Sequence, residues 1–504
     1  MSHLSRRAVL RSVSVAALAA AATRVPTASA AADSLRAVYH LTPPSGWLSD
    51  PQRPIHAGGD YHLYYLHSDQ NNAPGWWQHA TTSDNVSFAD RGAAIPLQRD
   101  DFPVWTGSGV VDTLNTAGFG ASAVVVLATQ PTGGDRYDQE QYLYYSTDDG
   151  YTFTAYGPPV IDNPDHSDWF RDPKIHWDAA RGEWVAVIGR QQAIWFYTSP
   201  DLIHWRHTSA FTYTSPNIGG FECPDLFEMT ADDGSRHWVL GASTQGDYSG
   251  LPDTYAYWTG RWDGTSWTSD NRDPQWLDWG WDWYAAVTWP NAAAPDTNRY
   301  ALAWMNNWQY AARTVPTDIS DGYNGQMSVV RELTLTRQPE GWYILLSQPV
   351  DTLRDRATRT VTLDDVTTAD SVVLPYQGTS YDLELDITWD QASNVGLSVG
   401  RPADGTRHTN IGVYDGSVYV DRRSSDRADY TFGSHGQSNA PIDPAARAVH
   451  LRVLVDRQSV EVFVNAGHTV LSHQVYFQPG ETGISVYADG GSATFSGIVV
   501  REIG

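Results

Sequence analysis

The segment Thr198-Ser199-Pro200-Asp201, followed four positions later by Trp205, carries the pattern that decides the fold of this chain. Similar segments occur at Thr81–Asp84 with Phe88, at Ser146–Asp149 with Phe153 and, more loosely, at Asp263-Gly264 with Trp267. The aspartates at 84, 149, 201 and 263 are 65, 52 and 62 residues apart. Each copy predicts a hairpin in which an aspartate-rich turn joins an apolar strand to a strand that starts with an aromatic residue.

Further short apolar strands lie between these copies, at 123–128, 184–188 and 238–242. No helical period of 3.6 residues persists in this region of the sequence. A repeat of about 60 residues that contains four short strands is typical of a β-propeller blade. Residues 33–345 have room for five such blades. Unrelated hairpins in a β-sandwich are the alternative.

The composition changes at a short charged connector, 353–359, which follows Pro349. Beyond it apolar residues alternate with polar ones along 382–387, 449–455 and 460–464. Strands with this period of two predict a β-sandwich of roughly 150 residues. We therefore predict an all-β chain, with a five-bladed β-propeller at 33–348, a linker at 349–360 and a C-terminal β-sandwich at 361–504.

The first thirty residues have the features of a targeting segment. Arg6-Arg7 is a twin-arginine start, an apolar stretch covers 13–22, and Ala28-Ser29-Ala30 supplies a small-residue cleavage pattern. The apolar run is shorter than the ~20 residues that span a bilayer. We predict a twin-arginine signal peptide at 1–30 and a secreted mature protein.

The charge of the chain limits the class of its partners. With 33 basic and 58 acidic residues, the formal net charge is −25. Such a surface repels phosphate backbones and anionic membranes, so we expect neither nucleic acid nor membrane as a partner. A neutral substrate is compatible with this charge, and the oligomeric state stays open.

The cysteine and histidine patterns indicate neither a disulfide nor a metal site. Cys223 is the single cysteine, so no intramolecular disulfide can form, and we expect it to be a small buried residue. The 16 histidines show no metal-ligand spacing, and no glycine-rich phosphate loop occurs between a strand and a helix. We therefore expect no cofactor and no metal.

Three acidic residues stand in similar apolar or aromatic surroundings, each with a proline one or two positions later. They are Asp50 in Trp47–Pro51, Asp172 in Trp169–Pro173 and Glu222 in Phe221–Pro224. Such surroundings desolvate a carboxyl group and raise its pKa, which suits acid/base chemistry. Retaining glycoside cleavage needs a nucleophilic carboxylate and an acid about 5–5.5 Å apart. Acids on neighbouring inner strands of a propeller could meet this need, although each one alone is more often a turn residue.

Several motifs together resemble glycoside hydrolase family 32, the family of invertases, inulinases and levanases. They are Trp47–Pro51, Trp105–Ser108, Phe170–Pro173, Glu222–Pro224, Asp282–Ala285, Ala303–Trp308 and, in the second domain, Ser459–Asn465. The resemblance covers nearly all of the mature chain. It implies a five-bladed propeller followed by a β-sandwich, the same architecture that the strand pattern predicts.

The resemblance implies a role for each matching residue. Asp50 would be the nucleophile, Glu222 the acid/base, and Asp172 the residue that stabilises the transition state. Candidate substrate-binding residues are Gln52, Trp77, Trp105, Ser108, Arg171, Tyr284 and Trp308. For Trp105 and Tyr284, packing within a blade is an equally good interpretation, and for the other tryptophans it is the better one.

Two departures from the family pattern bear on the substrate. Ser49-Asp50-Pro51-Gln52-Arg53 replaces the usual Asn-Asp-Pro-Asn-Gly, and the glutamine usual in the next strand is replaced near Leu66. These changes resemble a branch that acts on levan, the β-2,6-linked fructan. Levan fructotransferases, which form a difructose anhydride, and levanbiose-releasing levanases are both similar. Segments 279–290 and 314–326 slightly favour the transferase.

Three alternatives stay open from the sequence. The first is a levan hydrolase that releases levanbiose or fructose, and the second is an inverting propeller glycosidase acting on arabinose polymers. An inverting enzyme would hold its carboxyl groups farther apart, at ~6.5–9.5 Å. The third is a fructan-binding protein without catalytic activity, in which the acids only accept hydrogen bonds from sugar.

Overall fold

The computed structural model describes residues 34–97, 102–132 and 135–504. The predicted signal peptide at 1–30 lies outside these residues. Within these ranges a large set of strands is accompanied by a short α-helix, α1 (Pro316–Ser320), and by the 3-10 helices Gly246–Ser249, Asp351–Arg356, Arg423–Ser425 and Gly433–His435. The prediction of an all-β chain is confirmed. Nowhere in these ranges is a helix long and apolar enough to cross a membrane.

The strands up to Pro349 follow one another in short antiparallel groups. They are β1 (Gly46–Ala57), β2 (Asp60–Ser68), β3 (Trp76–Thr82), β4 (Ala89–Ile95), β5 (Gly107–Asp112), β6 (Ala123–Thr132), β7 (Asp135–Ser146), β8 (Thr154–Ala155), β9 (Phe170–Asp178), β10 (Glu183–Arg190), β11 (Ala193–Ser199), β12 (Arg206–Thr212), β13 (Glu222–Thr230), β14 (Arg236–Ser243), β15 (Tyr255–Trp262), β16 (Trp267–Ser269), β17 (Gln275–Trp276), β18 (Tyr284–Pro290), β19 (Asn298–Trp304), β20 (Tyr323–Asn324), β21 (Arg331–Arg337) and β22 (Tyr343–Pro349).

These strands form four sheets. The first has the order β4-β3-β2-β1-β5-β6-β7-β8, and its two four-stranded halves meet only where Arg53 pairs with Ser108 in parallel. The other sheets are β12-β11-β10-β9, β13-β14-β15-β16 with β17 beside β15, and β18-β19-β21-β22. The short β20 adds to β1 in parallel.

The strands β1, β5, β9, β13 and β18, here called the inner strands, contact one another in a closed circuit. β1 contacts β5 and β18, β9 contacts β5 and β13, and β13 also contacts β18. Residues far apart in the sequence are therefore brought together along one axis.

The repeated aspartate segments are turns between two antiparallel strands, as the sequence predicts. In the structure these are the third and fourth strands of each group. Oδ1 of Asp84 accepts the backbone N–H groups of Val86 and Ser87, and Asp201 holds its own turn in the same way. In the second copy the capping residue is Asp148, which accepts the N–H of Thr152. The sequence pattern aligns Asp149 there instead, one position later, since the two aspartates are adjacent.

The remaining strands form two further sheets. They are β23 (Ala357–Thr362), β24 (Val366–Thr368), β25 (Ser371–Gln377), β26 (Tyr381–Trp389), β27 (Asn394–Arg401), β28 (Thr409–Tyr414), β29 (Ser417–Asp421), β30 (Gln437–Pro441), β31 (Ala448–Asp456), β32 (Ser459–Val464), β33 (Thr469–Gln474), β34 (Gly483–Asp489) and β35 (Ala493–Ile503).

The two sheets have the orders β23-β35-β26-β31-β32-β33 and β25-β34-β27-β28-β29-β30. Their alternating apolar residues share one core, to which Leu383, Leu397, Val453 and Val486 belong, so the sheets pack as a sandwich. The first strand begins at Ala357, inside the segment that the sequence assigned to a linker. That segment is ordered because β23 pairs with β35 and because Leu353 is buried.

Two buried arginines join the sandwich to the sheets that precede it. Arg331 of β21 forms salt bridges with Asp278, at 2.8 Å, and with Glu461 of β32, at 2.6 Å. Arg422, just after β29, forms another with Asp282 at 2.5 Å. Since a buried charge is stable only when paired, these contacts fix how the two halves pack.

Candidate active site

The three acids that the sequence singled out lie near the start of three inner strands. Asp50 belongs to β1, Asp172 to β9 and Glu222 to β13. The strand pairing of β1 and β13 shifts register at these points, between Leu48 and Pro51 and between Glu222 and Asp225. Such irregularities re-aim side chains and are frequent next to active sites.

Two residues here have left-handed backbone conformations, which are uncommon for residues other than glycine. Asp172 has a φ of 61°, and Cys223, directly after Glu222, has a φ of 47°. These conformations carry a cost of order 1–3 kcal/mol each and persist where the surrounding structure imposes them. The backbone therefore departs from regular strand geometry at the points where the acidic side chains are directed into the pocket.

All three acids line one pocket with a volume of about 370 Å³, within the range of small-molecule sites. Each is largely buried, with exposed fractions of 9% for Asp50, 6% for Asp172 and 8% for Glu222. The walls are mainly aromatic and polar, and they include Trp47, Leu66, Trp105, Thr106, Trp169, Arg171 and Trp308.

Asp50 is held through one of its two carboxylate oxygens. Oδ2 accepts a hydrogen bond of 2.7 Å from the hydroxyl of Thr106, whereas Oδ1 is buried and has no hydrogen-bond partner among the described residues. Burial, reinforced by the charge of Glu222, raises the pKa of Asp50 to about 7. Asp50 therefore has an oxygen whose lone pairs are free for a reaction.

Glu222 is positioned through both of its carboxylate oxygens. Oε1 lies 3.1 Å from Nη1 of Arg171, and Oε2 accepts a 2.6 Å hydrogen bond from the hydroxyl of Tyr284. Burial and the charge of Glu222 raise the pKa of Tyr284, so its hydroxyl stays protonated and can donate.

Asp172 is fixed mainly by backbone contacts. Its Oδ2 accepts the N–H of Cys223 at 3.0 Å, and its own N–H donates to the hydroxyl of Thr129 at 2.8 Å. Burial and the charge of Glu222 raise the pKa of Asp172 too, against the opposing effect of Arg171. Cys223 is buried, as predicted, and burial raises the pKa of its thiol, which keeps it protonated.

Arg171 is the cation of the pocket and is held in place by aromatic and amide groups. Its guanidinium carbon lies 4.4 Å from the ring centre of Trp169 and 5.5 Å from that of Trp105. Its Nε donates to Oε1 of Gln139 at 3.0 Å. Trp308 lines the same pocket and packs edge-on against Trp47.

Four of the predicted substrate-binding residues lie outside the pocket lining. Trp77 is fully buried and donates from Nε1 to the carbonyl of Trp105. Gln52 donates to the carbonyl of Asp50 and accepts the N–H of Gly107. Ser108 donates to the carbonyl of Pro173, and Tyr284 contacts Glu222 as described. These side chains contact the lining residues or their neighbours from behind, Gln52, Ser108 and Tyr284 from inner strands and Trp77 from β3.

The sequence missed several residues of the pocket. Thr106, Trp47 and Trp169 stand in the motifs that were quoted, next to the residues that were selected. That proximity is a usable signal. By contrast, Gln245, which follows β14, and Asn72, in the turn after β2, reach the pocket from loops that carry no motif.

The pocket suits a neutral, hydroxyl-rich ligand. One carboxyl group has a free oxygen, another is held by a cation and a hydroxyl, and aromatic rings form the walls. Among the described residues, no group of three or more histidine, cysteine, aspartate or glutamate side chains could hold a metal ion. The chemistry available from these side chains is nucleophilic and acid/base.

Comparison with known proteins identifies the family. The N-terminal domain of glycosyl hydrolases family 32 matches residues 40–349, and the C-terminal domain of the same family matches residues 349–502. The chain belongs to glycosyl hydrolase family 32. The predicted membership is confirmed, and this glycosyl hydrolase carries both domains of the family.

Curated and solved relatives agree with this assignment. A levanbiose-producing levanase of Bacillus subtilis (strain 168) is 44% identical over 93% of this chain and 90% of its own length. Another, from Geobacillus stearothermophilus, is 43% identical over 78% of this chain and 100% of its own length. The crystal structure of an exo-inulinase from Aspergillus awamori superposes with a TM-score of 0.84 at 26% identity, covering 94% and 99% of the two chains.

Proposed function

We propose that this glycosyl hydrolase cleaves levan with retention of configuration, through a fructosyl ester on Asp50. Glu222 is the acid/base and Asp172 stabilises the transition state. The observation that carries the proposal is the pairing of carboxyl groups in one pocket: Asp50 keeps one oxygen free, while Arg171 and Tyr284 hold Glu222. This division of roles is what double displacement requires.

In the first step Glu222 gives its proton to the glycosidic oxygen as the bond to C2 of fructose breaks. Asp50 attacks C2 and forms the ester, and the leaving chain departs as an alcohol. Asp172 accepts hydrogen bonds from the sugar hydroxyls, and Arg171 donates to them. The contacts with Asp172 strengthen as positive charge develops on the ring. In the second step Glu222 removes a proton from the acceptor, which attacks C2 and frees Asp50.

The charges of the pocket support this order of events. The charge of Glu222 is one cause of the raised pKa of Asp50. When Glu222 carries the proton that it will donate, this repulsion disappears and Asp50 ionises more readily.

The names of two relatives favour water as the acceptor in the second step. Two relatives that cover most of this chain are named levanbiose-producing levanases. We therefore propose release of a disaccharide from levan. Intramolecular transfer, which gives a difructose anhydride and which the sequence slightly favoured, stays a prediction.

The catalytic roles are tested with Asp50→Asn, Glu222→Gln and a control, Asp364→Asn, which alters an exposed carboxylate in the sandwich. We expect the first two variants to lose at least about 10³-fold in kcat on levan, with the control unchanged. Initial products should show retained configuration by NMR. Inverted products would support the arabinan-type alternative, and a fully active Glu222→Gln variant would leave only a fructan-binding role.

The product is tested by incubating the enzyme with levan and, separately, with inulin, and by resolving the small products by mass. A disaccharide of full mass from levan supports hydrolysis. A product lighter by one water identifies intramolecular transfer. Release from inulin alone, or from neither polymer, contradicts the assignment of levan.

We further propose that the N-terminal strands form a five-bladed β-propeller over 33–348, joined through 349–360 to the β-sandwich at 361–504. The closed circuit of five inner strands supports five blades, the first two of which share a sheet. An experimental structure in which β1 and β5 belong to one continuous blade would contradict this division.

We also propose that the protein is exported from the cytoplasm. The twin-arginine segment at 1–30 supports it, and a relative from Aspergillus niger is named an extracellular exo-inulinase. A reporter fused to residues 1–30 should leave the cytoplasm, and replacing Arg6 and Arg7 by lysine should retain it there. Export that is insensitive to this change would contradict the twin-arginine route.

A further inference from the structure

The inner strands carry a second set of charged residues beyond the acids of the pocket. Arg53 follows Asp50 by three positions in β1, and His176 follows Asp172 by four in β9. Since a strand advances about 3.3 Å per residue, these side chains lie roughly 10 Å farther along the axis. They line a separate cavity of about 790 Å³, which shares no lining residue with the first pocket.

The positive charge around this cavity exceeds the negative charge. Two of the lining arginines are neutralised by lining carboxylates: Arg181 by Asp178 at 2.7 Å, and Arg236 by Glu228 at 2.5 Å. Behind the wall, Lys174 pairs with Asp225 at 3.3 Å.

Arg53 and Arg299 are left over. Among the residues that the structure describes, neither forms a salt bridge. Asp225 attracts both electrostatically, but it is already paired with Lys174, so the three cations exceed this one carboxylate by two charges. Nη1 of Arg53 donates to the carbonyl of Ile175 at 2.6 Å. Arg299, only 5% exposed, donates to the hydroxyl of Thr288 and lies 4.2 Å over the ring of Phe227. Burying such charges is costly unless an anion approaches them.

His176 supplies a second, independent observation. Both of its ring nitrogens are buried, and neither has a hydrogen-bond partner among the described residues. Burial and the charge of Arg53 lower its pKa to about 3, so the ring is neutral and has one N–H to donate. Buried polar groups of this kind normally have a partner, so the N–H of this ring lacks one in the wall of the cavity.

We propose that this cavity binds a small multivalent oxyanion, such as phosphate or a di- or tricarboxylate, between Arg53 and Arg299, and that the ring of His176 turns to donate its N–H when the ligand is bound. The ligand's charge compensates the two unpaired guanidinium groups, whose planar geometry suits oxyanion oxygens. The chain as a whole has a formal net charge of −25, so the site selects anions by its local charge and not by the field of the whole protein. The site is independent of the proposed sugar cleavage.

The test measures thermal unfolding and calorimetric binding with sodium phosphate, sodium citrate and sodium chloride at equal ionic strength. We expect phosphate or citrate to raise Tm more than chloride does, and the stronger of the two identifies the oxyanion class. Arg53→Gln should weaken binding by about tenfold or more, whereas Arg53→Lys should retain part of it. The control is Arg261→Gln, which removes an exposed arginine of β15 and should leave binding unchanged.

Three outcomes would overturn the proposal. The first is that phosphate and citrate raise Tm no more than chloride does. The second is binding that is equally strong in Arg53→Gln. The third is an anion that competes with levan and whose affinity does not change in Arg53→Gln, since it would then bind at Arg171 in the first pocket. Because Arg53 is partly exposed, its variants are expected to fold, and His176→Phe gives an additional variant if one does not.

Discussion

At the scale of single residues, the pocket shows how a few neighbours give identical carboxyl groups different environments. Asp50 accepts one hydrogen bond, from Thr106, and keeps an oxygen free. Glu222 is bound at both oxygens, by Arg171 and by Tyr284. The difference in donors leaves Asp50 an oxygen free for the proposed attack, and it fixes both oxygens of Glu222, the proposed acid/base.

Tyr284 is a positioning residue, and removing its hydroxyl tests this. In Tyr284→Phe the carboxylate of Glu222 loses a buried donor, a contact worth about 1.5–3 kcal/mol. We expect kcat on levan to fall about 10- to 100-fold with a smaller change in KM, because Tyr284 does not line the pocket. The control is Tyr414→Phe, at an exposed tyrosine of the sandwich. An unchanged kcat would show that Arg171 alone positions Glu222.

The raised pKa of Asp50 also predicts a cost in stability. Its pKa of about 7 in the folded protein lies above the ordinary value of 3.8, so the group favours the folded state below pH 4. This contribution is lost as the pH rises towards 7. Asp50→Asn should therefore unfold at a higher temperature than the native enzyme at pH 8, by about 1–4 °C, with little difference at pH 4. Equal Tm values at pH 8 would contradict the raised pKa, and Asp364→Asn serves as the control.

At the scale of elements, the ends of the inner strands are fixed by close backbone contacts. β20 pairs in parallel with the start of β1, and Gly325 follows directly after it with a φ of 97°. A Cβ atom at Gly325 would lie 2.3 Å from the carbonyl oxygen of Leu48. Glycine is required there because β1 must approach closely enough to bring Asp50 into the pocket.

Gly325→Ala tests this contact against a matched control. Gly322→Ala changes a neighbouring glycine with a φ of 72°, whose added Cβ would meet nothing within 4 Å. Both variants bear the backbone strain of about 1 kcal/mol, but only Gly325→Ala adds the clash. We expect Gly325→Ala to lower Tm and kcat more than Gly322→Ala does. Equal effects on both quantities would mean that the contact with Leu48 relaxes freely.

At the scale of the whole molecule, buried ionic contacts hold the N-terminal sheets and the sandwich together as one unit. Arg331 links Asp278 to Glu461, and the same Glu461 accepts a hydrogen bond from His40 in the segment before β1. Removing one partner of such a network leaves another charge buried and unpaired, which typically costs about 3–5 kcal/mol. Loss of these contacts therefore destabilises the packing of the sandwich against the N-terminal sheets.

His40 makes the stability of this junction depend on pH. Burial alone would lower its pKa, but hydrogen bonds to Asp456 and Glu461 raise it to about 9, above the ordinary 6.5. The stabilisation is complete below pH 6.5 and is lost as the pH rises through 9. We expect Tm to fall between pH 7 and pH 9.5, and to fall less in His40→Gln. The control is His204→Gln, at an exposed histidine. A parallel decline in both variants would show that other groups cause the loss.

The sequence by itself determined the strand content, the repeated turns and which three acids line the pocket. Turns are local, since Asp84 and Asp201 bind N–H groups two and three residues ahead, and such contacts leave a readable pattern. The sandwich strands were readable as well, because burial on one face imposes a period of two.

Only the tertiary structure decided which side chains enter the pocket and which stand behind it. Ser108 lies in a recognisable motif but turns into the packing, while Gln245 and Asn72 reach the pocket from loops. The direction of a side chain depends on register shifts and left-handed residues such as Asp172 and Cys223. Those conformations are imposed by neighbouring strands, and contacts between residues distant in the sequence leave no local pattern from which to predict them.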